Sequence, residues 1–216
     1  MGKQKYYAVK QGRIPGIFLT WEDCKKSTEG YPGAVFKSFP TKEEAENYLK
    51  GQEGKREEDN DRIKAQLHDL KCGEMTAFVD GSFDAEKERA GYGVILIDED
   101  GKETELSGTI TKEGSPELLA FRNVAAELEG AKAAVDYAIA HGKEKLYLYY
   151  DYAGIGNWAD GSWEAKKDLT KAYVAFLEDR RKKIGIAFIK VDAHTGIEYN
   201  ERVDRIAKAS LEVSDG

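Results

Sequence analysis

Residues 75–84 read MTAFVDGSFD. The apolar run Ala77-Phe78-Val79 looks like a buried strand, and it leads straight into the carboxylate of Asp80. Taking an unpaired charge out of water costs on the order of several kcal/mol unless something positive meets it. A lone acid at this position would be an oddity. If further acids converge on it, the stretch describes a metal site, and the rest of the chain must supply them.

Outward from this strand the order of elements sets the fold class. GYGVILID (91–98) and ETELSGTI (103–110) read as two further strands, joined by a turn at Asp100-Gly101. Ser115-Pro116 opens a helix that runs to His141 and is stopped by Gly142. KLYLYYD (145–151) is the fourth strand, residues 162–183 a helix with basic residues in its last turn, GIAFIKVD (185–192) the fifth strand, and NERVDRIAKASLE (200–212) the last helix. Three antiparallel strands followed by strand–helix alternation imply an α/β domain over 74–216, with a mixed sheet covered by helices.

A smaller module precedes it. YYAVKQG and RIPGIFLT read as strands, Trp21–Lys26 as a helix capped by Thr20, AVFKSF as a strand, and TKEEAENYLK as a helix with the capping-box pair Thr41 and Glu44. This gives ββαβα within residues 1–50. Residues 51–73 read as a charged linker, with Ile63, Leu67 and Leu70 spaced for a short helix near its end.

The composition bounds the class. Hydrophobic residues make up 41% of the 216, enough for a packed core, which argues against global disorder. Net charge is −7, against a generic nucleic-acid coat protein, but it is unevenly spread. Residues 1–50 carry nine Lys/Arg and six Asp/Glu, whereas residues 74–216 carry nineteen and twenty-eight, so a small basic module is tied to a larger acidic one. No apolar stretch approaches the roughly 18 residues of a membrane span. The opening MGKQKYYAVKQG has no apolar signal core, and Tyr6 stands where a myristoylation motif needs Ser or Thr; the expectation is a cytoplasmic protein. Cys24 and Cys72 have no metal-type spacing and are expected to be reduced thiols.

Three more acids sit where Asp80 could meet them. Glu127 lies on the same helical face as Ala120, Val124, Ala131, Ala134 and Ala138. Asp151 ends the fourth strand as Asp80 ends the first, and ligand sites in such sheets favour strand ends. Asp204 sits beside the stripe Val203, Ala207 and Leu211, near a helix N-terminus where the dipole favours a carboxylate. Each has a bland reading alone: a turn residue, a partly wet helix face, a helix start. Spacing does not show that the four meet; the combination is what is specific.

Here the chain resembles a known family. FVDGS (78–82), RNVAAE (122–127), YYD (149–151) and HTGIEYNERVDRIAKAS (194–210) are similar to the four active-site blocks of type 1 ribonuclease H, over about residues 74–212. YYAVKQGRIPGIFLTWEDC, YPGAVFKSF and EEAENYL resemble the hybrid-binding, viroplasmin-like domain found ahead of many such enzymes. The resemblance implies a ribonuclease H-like mixed five-stranded sheet and cleavage of the RNA strand of RNA–DNA hybrids, leaving 5′-phosphate and 3′-hydroxyl ends. It implies Asp80, Glu127, Asp151 and Asp204 as metal-binding acids for two Mg²⁺ ions, with Mn²⁺ as a substitute. Carboxylates suit such hard cations, and two divalent ions about 4 Å apart ease attack on an anionic phosphodiester.

Further roles follow only from the resemblance. His194 would assist turnover from a mobile loop, although a surface-loop histidine is the bland reading. Asn123, one helical turn before Glu127, would read the RNA minor groove. Tyr7, Trp21, Phe36 and Lys37 would contact hybrid, and the small module could also take double-stranded RNA. Trp158 and Trp163 would border the DNA strand or simply pack, and Glu201 would neighbour the site or serve the helix's first turn. There are departures: Ala153 stands where relatives often carry Gln, Glu86 where they often carry Asn, and Ser38 where a second basic residue is common. The runner-up readings are a non-catalytic binder of hybrid or double-stranded RNA and another metal-dependent nuclease or integrase on the same sheet. No membrane partner is expected, and nothing demands more than a monomer.

Overall fold

The computed structural model describes residues 5–111, 116–191 and 198–212, with the backbone alone for 51–58. The chain divides into two compact units, Met1–Asp61 and Arg62–Gly216. Among the described residues no helix is long and apolar enough to cross a membrane.

The first unit follows the ββαβα order. Strands β1 (Tyr6–Gln11), β2 (Gly16–Phe18) and β3 (Val35–Phe39) form an antiparallel sheet in the order β2-β1-β3. Helix α1 (Trp21–Thr28) starts where Thr20 Oγ1 accepts the Asp23 amide at 3.2 Å, the expected cap. Helix α2 spans Lys42–His68 and opens with the Glu44 amide donating to Thr41 Oγ1 at 3.2 Å. Ala8, Val9, Cys24 and Ala45 are fully buried and make the small core. Where composition suggested a charged linker after Lys50, the chain stays helical to His68. Most of the charges that read as a tether come from Glu, Lys and Arg, which are also good helix formers, and the stretch holds no proline.

The second unit is built on a five-stranded sheet. Its strands are β4 (Glu74–Asp84), β5 (Arg89–Asp98), β6 (Glu103–Thr111), β7 (Lys145–Tyr150) and β8 (Gly185–Lys190), in the order β6-β5-β4-β7-β8. β4, β5 and β6 are antiparallel neighbours, while β7 runs parallel to β4 and β8 parallel to β7. The Asp100-Gly101 turn is present: Gly101 has φ +76°, and Asp98 Oδ1 accepts the amides of Asp100 and Lys102 at 3.1 and 2.9 Å. The helices are α3 (Pro116–Leu119), α4 (Asn123–Ala140), α5 (Gly154–Ala159), α6 (Asp168–Arg180) and α7 (Glu198–Ser210).

Strand alternation sorts the core into two layers. Ala77, Val79, Val94, Leu96, Leu146 and Leu148 face one way and pack with α4, α5 and α6. Phe78, Ile95, Ile97, Tyr149 and Val191 face the other way and pack with Val203 of α7 and Ile63 of α2. Each fully buried large side chain in these layers contributes about 1.5–3 kcal/mol.

Two of the expected helices differ in detail. The helix expected over 116–141 is broken: after α3 the chain turns through residues 120–122, Arg122 takes φ +55°, and α4 restarts at Asn123. Ser115 lies outside the described residues. The helix expected from Ser162 begins only at Asp168, and α5 forms earlier, in a stretch whose two glycines weaken helix propensity; the fully buried Ile155 shows packing overriding it.

The helices come close to the sheet where side chains are missing. A Cβ on Gly93 would stand 2.6 Å from the Val203 carbonyl oxygen and 2.8 Å from the Ala207 amide nitrogen, both backbone atoms of α7. Gly93→Ala must therefore push α7 off β5. The expected loss is about 1–3 kcal/mol, read as a lower urea midpoint with an unchanged slope. An unchanged midpoint would show that α7 does not rest on this glycine.

Candidate active site

The expected convergence is present for three of the four acids. Asp80 lies on β4 opposite Gly93, Glu127 on the second turn of α4, and Asp151 directly after β7. Each offers a carboxylate oxygen, and these oxygens lie within 4.8 Å of one another. Glu127 is only 4% exposed, which is unusual for a glutamate.

Local sequence explains how they meet. Asp80 points to the α7 face of the sheet, while α4 covers the opposite face. Glu127 reaches the cluster because α4 sits directly on Gly81. A Cβ there would fall 2.6 Å from Glu127 Cγ and 2.7 Å from both the Asn123 carbonyl oxygen and the Glu127 amide nitrogen. The restart of the helix at Asn123 places Glu127 one turn in, and the Asn123 side chain hydrogen-bonds to the Glu127 carboxylate.

Asp204 stands apart from this trio but close enough for its charge to act on Asp80. Its Oδ2 accepts from Lys208 Nζ at 2.7 Å, an i,i+4 pair on α7. Lys208 is a site neighbour that sequence reasoning missed. Its only signal is the four-residue spacing from Asp204, common to many solvated helix faces. His194 lies outside the described residues. Glu201 is exposed in the first turn of α7.

The electrostatics follow from crowding acids out of water. Burial, then the charges of Asp151 and Asp204, raise the Asp80 carboxyl from 3.8 to about 7, against the opposing Gly81 amide that donates to it at 2.7 Å. Burial, then Asp151 and Asp80, raise Glu127 from 4.5 to about 9. The donor set is all oxygen, hard and negatively charged. It fits a divalent cation such as Mg²⁺, which would relieve the repulsion.

The small unit gathers the expected aromatics. The Tyr7 and Trp21 rings are 5.7 Å apart and the Trp21 and Phe36 rings 5.6 Å, with Trp21 44% and Phe36 41% exposed. Exposed aromatic rows of this kind suit stacking on bases or sugars. Lys37 is exposed, but alternation turns it to the other face of β3, where its Nζ lies 5.6 Å from the Phe39 ring. In the larger unit Trp158 packs against the core, Tyr152 and Trp163, while Trp163 stays 43% exposed. Ala153 immediately precedes α5, and the Glu86 amide donates to Asp84 in the β4–β5 turn.

Comparison with known proteins agrees with this layout. Residues 5–49 match the family model of the Ribonuclease H1 N-terminal domain, and residues 73–212 match that of RNase H. The chain is 28% identical to Ribonuclease H1 of Rattus norvegicus, across 100% of this chain and 92% of that protein, and 24% identical to Ribonuclease H1 of Homo sapiens. Among solved structures, RNase H1 from the archaeon Halobacterium salinarum superposes on 64% of this chain and 98% of its own, with a TM-score of 0.53 and 22% identity. LC11-RNase H1, solved in complex with an RNA/DNA hybrid, covers 64% of this chain and 96% of its own, with a TM-score of 0.52 and 20% identity.

Both raised carboxyls bind more protons folded than unfolded. Their contribution to stability is therefore full below the unfolded values of 3.8 and 4.5, and it is lost as pH rises through about 7 for Asp80 and about 9 for Glu127. In a chelator, the thermal midpoint should fall between about pH 5 and about pH 9, and Asp80→Asn or Glu127→Gln should flatten that fall. A wild-type midpoint that rises across this window would contradict the clustering.

Proposed function

The chain belongs to the RNase H family, and from that premise we propose that this nuclease hydrolyses the RNA strand of RNA–DNA hybrids. The observation that carries the proposal is the meeting of Asp80, Glu127 and Asp151 from two strands and a helix otherwise separate along the chain. The likeness to an RNase H1 solved with an RNA/DNA hybrid supports the substrate class. The match of residues 5–49 to the Ribonuclease H1 N-terminal domain supports a separate grip on that substrate.

Asp80, Glu127, Asp151 and Asp204 would hold two divalent cations, Mg²⁺ with Mn²⁺ as substitute, which when bound supply an acidified water as nucleophile and charge at the leaving oxygen. The protein's own residues set the conditions for this. Burial and crowding favour the protonated forms of Asp80 and Glu127, and a cation would offset both. Asn123 hydrogen-bonds to the Glu127 carboxylate and, exposed at the start of α4, would meet a 2′-hydroxyl, the mark that separates RNA from DNA. Lys208 pairs with Asp204 and would release it when a cation takes the carboxylate. The products would be a 5′-phosphate downstream and a 3′-hydroxyl upstream. In the small unit, Tyr7, Trp21 and Phe36 would stack on the hybrid while the acidic larger unit, net −9 over residues 74–216, gains least from its own charge.

Two experiments test this. A labelled hybrid incubated with Mg²⁺ should be cut, and excess EDTA should stop the cutting. Asp80→Asn should lower kcat about 100-fold or more while hybrid affinity stays within about 3-fold. Wild-type turnover in Asp80→Asn would remove Asp80 from the site. Separately, Trp21→Ala with Phe36→Ala should raise KM for long hybrids about 5-fold or more at unchanged kcat. A fall in kcat at unchanged KM would contradict a tethering role.

A further inference from the structure

The ladder between β4 and β7 ends at the pair Phe78 and Tyr149, two residues short of both Asp80 and Asp151. What packs below that point therefore sets how far apart the two aspartates stand. The Phe78 ring, fully buried, stacks on Tyr149 at 4.7 Å and 21° and on Tyr199 at 4.7 Å and 14°. Phe78 precedes Asp80 by two residues, Tyr149 precedes Asp151 by two, and Tyr199 precedes Asp204 by five. Three rings in contact thus join the three elements that carry three of the four acids.

The end of α2 closes this stack from the solvent side. Ile63 is 2% exposed among Phe78, Ile95, Ile97 and Tyr149. One turn on, the Tyr149 hydroxyl donates to Gln66 Oε1 at 2.7 Å, and the Gln66 amide donates to Thr76 Oγ1 at 3.3 Å. Gln66 therefore bridges β7, which Asp151 directly follows, and β4, which carries Asp80. Both Ile63 and Gln66 lie before residue 73, outside the stretch matched to the RNase H family model.

We propose that Gln66, seated by Ile63, is a positioning residue for the carboxylate cluster: it fixes the spacing of β4 and β7 through Thr76 and Tyr149, and through the ring stack the placement of α7. The inference rests on the cation-dependent reading of the site given above. It differs from a purely stabilising role in what it moves. A residue that only stabilises the fold changes the melting temperature. One that sets the spacing of the acids also changes how tightly they hold a cation.

The test uses the full chain with Gln66→Met, which keeps length and apolar bulk but neither hydrogen bond, Gln66→Glu, which keeps an acceptor for the Tyr149 hydroxyl, and Tyr149→Phe, which keeps the ring. Mn²⁺ binding is titrated calorimetrically without substrate, and kcat and KM for hybrid are measured beside it. Gln66→Met should raise the half-saturating Mn²⁺ concentration about 3-fold or more and lower kcat at limiting metal, with KM for hybrid unchanged. Gln66→Glu should restore most of both, and Gln66→Met should add little in a Tyr149→Phe background. If Gln66→Met and Tyr149→Phe lower the melting temperature while the Mn²⁺ isotherm and kcat stay at wild type, the inference is overturned. A wild-type chain that neither binds Mn²⁺ nor cuts hybrid would overturn the proposed function itself, a different result.

Discussion

Asp80, Glu127 and Asp151 hold carboxylate oxygens within 4.8 Å of one another, with Glu127 buried and the other two half-buried. Left to themselves, three carboxylates in such a place repel, and the chain relaxes by separating them or by taking up protons. Most of the surrounding structure can be read as a means of resisting that separation. β4 carries Asp80 through the centre of the sheet, with neighbours on both sides. α4 is drawn against Gly81 so that Glu127 cannot swing to solvent, and α7 is drawn against Gly93 so that Asp204 stays near. The fold holds the acids in place at a cost, and a divalent cation is the natural way to recover it.

The same constraint links the site to function. A cluster that is unfavourable when empty and favourable when filled favours cation binding over bare retention of protons at neutral pH. A polyanionic substrate brings its own negative charge to the same place, so its approach is helped by whatever offsets the acids. The acidic larger unit offers little long-range attraction for a duplex. The module over residues 1–50, with nine Lys/Arg against six Asp/Glu and with Tyr7, Trp21 and Phe36 in a row, would offer a contact that works at short range by stacking and at longer range by charge. A division of labour between the stretches 1–50 and 74–216 would follow from this difference in charge rather than from any single residue.

Much of this was legible in the sequence because the relevant signals are local. The Asp100-Gly101 turn, the Thr20 cap and the buried apolar run Ala77-Phe78-Val79 each depend on a few neighbouring residues, and each is present. The four acids were legible as a combination on successive elements. What was hidden depends on contacts distant in sequence. Nothing in residues 116–141 signals that the helix must break so that α4 can restart at Asn123 and bring Glu127 over Gly81; the periodicity runs smoothly across the break. Residues 154–159 look too glycine-rich for a helix until Ile155 is seen buried in the core. The charged stretch after Lys50 looked like a tether because composition does not distinguish a solvated helix from a solvated coil. Gln66 looked like one more polar residue there, since its partners Thr76 and Tyr149 come from two later strands.

The most direct measurement of the central claim is the proton balance of cation binding at about pH 7, obtained by titrating the chain with Mg²⁺ in buffers of different ionisation heat. With Asp80 and Glu127 both raised to values near or above neutrality, the expected result is binding accompanied by proton release, with both lost in Asp80→Asn. Binding that leaves the buffer untouched, or that survives Asp80→Asn unchanged, would contradict a cluster of crowded carboxylates as the cation site.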